Sequence, residues 1–170
     1  KNRIDLAETS FKRAVEIQPN YSEAHQRLGQ IYELIGYFDR AKGQYQKAQT
    51  PLQRNDRYRM ELDDLITRVE QQIKNADISA AGFYQESQEL LQEGNTEGAI
   101  TKLIQAISVR PEDSNLHYKL GELYQQKKNT DLAINEMLGA LEFNQKHVPA
   151  RQELGSMYEE KGYFYQALKM

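Results

Sequence analysis

The sequence predicts an all-α protein made of repeated helical hairpins and interrupted by one extra long amphipathic helix. Three observations carry that prediction. The stretch AHQRLGQIYELIGYFDRA at residues 24–41 returns as ARQELGSMYEEKGYFYQA at 150–167, with ten of eighteen letters identical. Small and aromatic residues elsewhere recur every 34 positions. A segment outside that register places its apolar residues on a single helical stripe. Of the 170 residues 39% are hydrophobic, enough to build a core, while 28% are charged and only four are proline, as expected of helices with a large surface relative to their core.

Aligned columns fix the period. FYQESQELLQEGNTEGAI from Phe83 matches HYKLGELYQQKKNTDLAI from His117 without gaps, 34 residues on. A further step carries Leu120, Gly121 and Tyr124 onto Leu154, Gly155 and Tyr158, and Ala99 onto Ala133 and Ala167. Backward from Ala41, Tyr45 and Ala48 it reaches Ala7, Phe11 and Ala14, so the first residues are expected to be the tail of an earlier unit. The two quoted copies lie 126 residues apart, which is three periods of 34 and 24 residues more. An insertion of that length therefore interrupts the array.

Each element has a physical reason. Two antiparallel helices per unit approach closely only where Gly or Ala stands at their crossing, and Tyr32, Tyr45, Tyr124 and Tyr158 fill the space beside those contacts. Gly inside a helix costs about 1 kcal/mol against Ala, so Gly29, Gly121 and Gly155 need a packing reason, and close approach supplies it. Gly36, Gly94 and Gly162 fall where the first helix of a unit ends and suit a left-handed cap. Pro19 and Pro111 follow a second helix and stop it. In residues 51–79 Leu62, Leu65, Ile66, Val69 and Ile73 form one apolar stripe on an otherwise charged helix, and Thr50-Pro51 suits a helix start. That helix either caps the first block or straddles both, as a structural splice or as a partner-binding element.

The Leu-Gly pairs Leu28-Gly29, Leu120-Gly121 and Leu154-Gly155, the turn glycines, the columns Ala41, Ala99, Ala133, Ala167 and Ala14, Ala48, Ala106, Ala140, and the closing Pro19 and Pro111 resemble the tetratricopeptide repeat family. Departures are Glu86-Ser87 in the Leu-Gly place and the absence of Trp. The resemblance implies a solenoid with a right-handed superhelical course. Its boundaries are expected at 1–21 for the tail of a partial unit, 22–55 for a full unit and 56–79 for the inserted helix, whose start lies near 51 if Pro51 opens it. Full units at 80–113 and 114–147 follow, then a truncated one at 148–170. Lys1 in place of Met and the partial units at both ends predict a piece of a longer array.

Little in the chain points to catalysis. The absence of cysteine removes disulfides and thiolate chemistry, and a net charge of −3 without basic blocks disfavours nucleic acid and acidic membrane surfaces. No apolar run approaches the roughly 20 residues of a membrane span. His25 and His117 share a repeat column with Phe83 and Arg151, which predicts packed histidines rather than metal ligands, and His147 falls in a connector. Cofactor and metal are expected to be none, and the chain is not expected to be an enzyme. Location is unspecified, compatible with cytoplasm or periplasm.

Stacked hairpins curve and leave a concave face lined by the first helix of each unit. Members of the family bind peptides or protein segments there, which implies that this chain is a non-catalytic interaction scaffold. By column the face carries Glu23, Gln26, Gln30 and Glu33, then Tyr84, Gln88, Leu91 and Gln92, then Asn115, Tyr118, Glu122 and Gln125, and finally Gln152, Ser156 and Glu159. Amides bond a peptide backbone without demanding a sequence, and Glu122 and Glu159 favour basic groups, so a neutral or basic segment is expected. Relatives that clamp a chaperone's C-terminal carboxylate use Lys, Asn and Arg, where this chain offers Tyr84, Gln88, Glu122, Pro149 and Glu153, which argues against that specificity. The alternatives are a self-associating assembly protein, drawing on Tyr37, Phe38, Tyr163, Phe164 and Tyr165, and a substrate-recruiting module of a larger protein.

Overall fold

The computed structural model describes residues 2–51 and 57–163. The described residues form helices and their connections, without a strand: α1 (Asn2–Ile17), α2 (Ser22–Leu34), α3 (Phe38–Gln49), α4 (Arg57–Gln92), α5 (Thr96–Val109), α6 (Ser114–Gln126), α7 (Thr130–Phe143) and α8 (Val148–Glu160). The chain divides into two compact units, Lys1–Asp77 and Ile78–Met170.

In the first unit, α1 to α3 and the N-terminal part of α4 share one core. Leu28, Tyr32, Ala41, Tyr45, Ala48, Leu62 and Val69 are buried in it, with Phe11, Val15, Leu65, Ile66 and Ile73 packed against it. The whole apolar stripe of the insertion is thus occupied within the molecule. Lys42 on α3 adds an ion pair to Glu70 on α4 at 2.7 Å. Gly29 has the close approach predicted for it, because a Cβ there would lie 2.6 Å from Cδ1 and 2.9 Å from Cζ of Tyr45.

In the second unit the C-terminal part of α4 plays the role of a first helix. It joins α5 and α6 around Ala80, Ala99, Leu103, Ala106, Leu116, Leu120 and Leu123. A second cluster joins α7 and α8 around Ala133, Met137, Ala140, Ala150, Leu154 and Met157. The described members of the two alanine columns from Ala41 onward are fully buried, at 0% exposure. Ser87, which breaks the Leu-Gly pattern, still serves the small column: it is fully buried, and its hydroxyl donates to the carbonyl of Ala99 at 3.0 Å. A small side chain with an internal acceptor does here what glycine does elsewhere. Its neighbour Glu86, standing in the Leu column, pairs at the surface with Lys102 at 2.5 Å.

The helix α4 passes residues 79 and 80 without a break, where the sequence reading separates insertion from repeat. No proline interrupts KNADISAAGF, and Gly82 alone is too weak a breaker once both ends of the helix are packed. Thr50 is the C-cap of α3 and donates to the carbonyl of Gln46 at 3.2 Å. The expected helix start near 51 otherwise falls on residues 52–56, outside the described ones.

Four turns close first helices in the same way. A backbone N–H reaches back five residues, from Tyr37 to Tyr32, Asn95 to Leu90, Asn129 to Tyr124 and Tyr163 to Tyr158, at 2.7 to 2.8 Å. The residue before each donor is left-handed: Gly36, Gly94 and Gly162, with φ of 81°, 76° and 75°, and Lys128 with φ of 61°. This is the Schellman closure, and its usual side-chain contact explains two of the aromatic residues near the turns. Tyr37 stacks on Tyr32 with centroids 6.4 Å apart, and Tyr163 lies 6.3 Å from Tyr158. Phe38 packs against the first core, while Phe164 and Tyr165 lie outside the described residues.

Candidate functional site

The expected binding residues divide into those that the fold engages and those that it gathers around open space. None of the fifteen is buried. In the first unit α4 reaches two of them. The Arg68 guanidinium donates to both oxygens of Glu33, at 3.0 and 2.8 Å, and the Tyr45 hydroxyl donates to the same carboxylate at 2.9 Å. Burial, then Glu33, push the Tyr45 hydroxyl well above its ordinary pKa, while the hydrogen bond to Glu33 raises that of Arg68. Tyr58 donates to the side-chain oxygen of Gln26 at 3.0 Å. Gln30 accepts from Arg27 at 3.2 Å, and Glu23 lies 3.8 Å from the same arginine. A bidentate guanidinium already satisfies Glu33, so this carboxylate is a structural anchor.

In the second unit residues from α4 and α6 converge. Tyr84, Gln88 and Leu91 face Lys119, Glu122, Leu123 and Gln126 across a pocket of about 250 Å³ whose floor includes Leu103. Tyr84, Gln88, Leu91 and Glu122 are the sequence-expected members, and Lys119 is the charged residue of the lining that the sequence reading missed. Its Nζ lies 2.8 Å from Glu122 Oε2, three residues on, and 5.3 Å from the centre of the Tyr118 ring. The helical spacing of three was the available signal.

Burial pushes the pKa of the Tyr118 hydroxyl up to about 12, and the neighbouring carboxylates of Glu122 and Glu153 add to the rise. The Tyr118 ring also lies against the His147 ring, tilted, with 5.0 Å between centroids. His147 is not an idle connector residue. Its Nδ1 accepts from the Ala150 N–H at 3.1 Å and caps α8, which leaves the Nε2 proton for Asn115 Oδ1 at 3.3 Å. Asn115 and Tyr118 are thereby held in place. Gln92, Gln152, Ser156 and Glu159 are exposed and do not line the pocket, nor does the half-buried Gln125.

The two column-related histidines are packed in parallel ways. His25 Nε2 donates to the Pro19 carbonyl at 2.8 Å, and its Nδ1 lies 2.7 Å from the Gln44 amide. His117 Nε2 donates to the Pro111 carbonyl at 3.1 Å, and its Nδ1 lies 2.7 Å from Glu136 Oε2. Both nitrogens of His117 thus face acceptors, which suits an imidazolium. Burial opposes that charge, but Glu136, Pro111 and Asp113 outweigh it and hold the pKa above the ordinary value. Among the described residues no group of three or more His, Cys, Asp or Glu could hold a metal ion, and no helix is long and apolar enough to cross a membrane.

Models of the tetratricopeptide repeat match residues 10–50, 88–128 and 114–147, together more than half of the chain. Among solved structures, MamA is similar at 23% identity and a TM-score of 0.51, over 99% of this chain and 85% of that one. A second MamA structure gives 23% and 0.50 over 99% and 79%. The TPR2AB domain of yeast Sti1, solved as a complex with pHSP90, gives 19% and 0.50 over 99% and 69%. No curated protein sequence matches the chain.

Proposed function

The chain belongs to the tetratricopeptide repeat family, and on that basis we propose that it is a non-catalytic scaffold that binds a segment of another protein along the first helices of its repeats. The observation that carries this reading is the convergence of Tyr84, Gln88 and Leu91 on α4 with Glu122 on α6 around one pocket, Gln88 and Glu122 being 34 positions apart in the repeat register. A half-apolar, amide-rimmed recess on consecutive first helices suits an extended chain, whose backbone the amides can bond. That the Sti1 domain of similar fold is solved with pHSP90 supports a reading in which this fold presents a surface to a second protein.

The binding surface proposed here is narrower than the fifteen expected residues. Glu33 and Gln26 are engaged by α4, so the second unit carries recognition. A photoreactive benzoylphenylalanine at Gln88 or Gln126 should cross-link a protein from the native extract that the same group at exposed Leu138 on α7 does not. Equal capture from all three positions would refute the assignment.

A further inference from the structure

We propose that His147 is a proton-operated latch on the binding face: neutral, it holds the start of α8 to Asn115 and Tyr118 of α6, and on taking up a proton it releases them. This deepens the scaffold reading and rests on it, because Asn115 and Tyr118 belong to the expected binding residues. The ring is 8% exposed, and both its nitrogens are committed. Nδ1 accepts from the Ala150 N–H at 3.1 Å and Nε2 lies 3.3 Å from Asn115 Oδ1, so the site takes only the neutral ring with its proton on Nε2. Pro149 in the first turn of α8 has no N–H, and the buried Ala150 N–H beside it is the donor that His147 satisfies.

A proton on Nδ1 would set two donors against each other across 3.1 Å and place a positive charge at a helix N-terminus, where the macrodipole opposes it. The charged groups beside this contact do not relieve the conflict. Glu122 and Glu153 lie by the Tyr118 hydroxyl, while Nδ1 faces the Ala150 N–H. Lys146 in the connector and Arg151 on α8 carry the same sign as an imidazolium, and the Arg151 guanidinium donates to the Gln145 carbonyl. A charged ring therefore leaves for water, and in leaving it gives up the Ala150 cap, the Asn115 bond and the Tyr118 ring together. His117 has the opposite requirement, with acceptors at both nitrogens: Glu136 at 2.7 Å and the Pro111 carbonyl at 3.1 Å. Acidification thus keeps α6 and α7 latched while it frees the start of α8 from α6, a local release rather than unfolding.

The test is a titration of the full chain from about pH 7.5 to about pH 5, the range in which histidines exchange their charge, followed by nuclear magnetic resonance of the His147 ring nitrogens, the Ala150 amide, the Asn115 side-chain amide and the Tyr118 ring. At the start Nδ1 should carry no proton, and as the ring gains one the other three signals should move with the same midpoint. Exchange protection of Ala150, corrected for its intrinsic pH dependence, should fall about fivefold, the loss expected when a helix gives up its side-chain cap. His147→Asn keeps a capping oxygen but does not titrate, so Ala150 should stay protected throughout. A proton on Nδ1 at the start, no uptake by about pH 5, a ring that titrates while the other signals stand still, or the same loss of protection in His147→Asn would overturn the latch. Benzoylphenylalanine at Gln126 reads the link to binding separately: its capture of a protein from the native extract should drop about fivefold at the acidic end, and the drop should be absent from His147→Asn. Undiminished capture beside an opened latch would overturn the control of binding. No capture at either pH would remove the scaffold reading and leave the latch to be decided by the resonances.

Discussion

Gly29 and Gly121 occupy the same repeat column, yet the structure predicts different answers to the same substitution by alanine. The added methyl is worth about 1 kcal/mol of helix propensity at either site. At Gly29 it would run into the Tyr45 ring, which is 0% exposed and whose hydroxyl is tied to Glu33, itself held by two Arg68 hydrogen bonds. That ring cannot give way without breaking the polar anchor, so the steric cost should reach the upper part of the roughly 1–3 kcal/mol range of overpacking, for a net loss of about 2 kcal/mol. At Gly121 the methyl would meet the terminal Cε of Met137 at 2.8 Å, with the next atoms at 3.4 Å. A thioether chain has rotamers to spare, so cost and propensity should nearly cancel, within about 0.5 kcal/mol. Hydrogen exchange resolved by segment separates the two units: Gly29→Ala should lower protection in α2 and α3 about thirtyfold, and Gly121→Ala should leave α6 and α7 nearly unchanged. Equal effects, or a neutral Gly29→Ala, would refute the argument that the Tyr45 anchor sets the cost.

Lys128 holds the left-handed position that glycine fills in three sister turns, so Lys128→Gly should stabilise the second unit by about 0.5–1 kcal/mol, read as a higher urea midpoint, and a lower midpoint would contradict the strain. The His117–Glu136 pair should make the second unit pH-dependent. With the folded pKa raised above the unfolded value of about 6.5, its contribution is complete below that pH and is lost as pH rises through the folded pKa. Glu136→Gln, which recreates the amide partner of His25, should flatten that fall in urea midpoints measured from pH 6 upward, and an unaltered slope would exclude the pair as its source.

The repeat, the hairpins and the amphipathic insertion were legible because each is a nearest-neighbour requirement that recurs at a fixed offset. A crossing that admits only a small residue must name Ala or Gly every 34 positions, and a left-handed turn must name Gly or tolerate a residue such as Lys128. Ser87 was legible as a departure but not as a solution, since its acceptor, the Ala99 carbonyl, belongs to another helix. The unbroken run of α4 through residues 79 and 80 was hidden for a similar reason: propensity there is neutral, and packing of both ends decides it.

By itself the sequence determined the fold class, the period, the column of first-helix residues and the face on which the insertion is apolar. Only the tertiary structure decided what those columns do. It placed Arg68 on Glu33 and Tyr58 on Gln26, pairs 35 and 32 residues apart that no repeat offset encodes, and it closed the α4 and α6 pocket over a leucine floor with Lys119 against Glu122. The physical reason is that a period fixes which side of its own helix a residue occupies. The rotation and register of the neighbouring helix, set by how buried side chains of unlike size interlock, fix which group it meets.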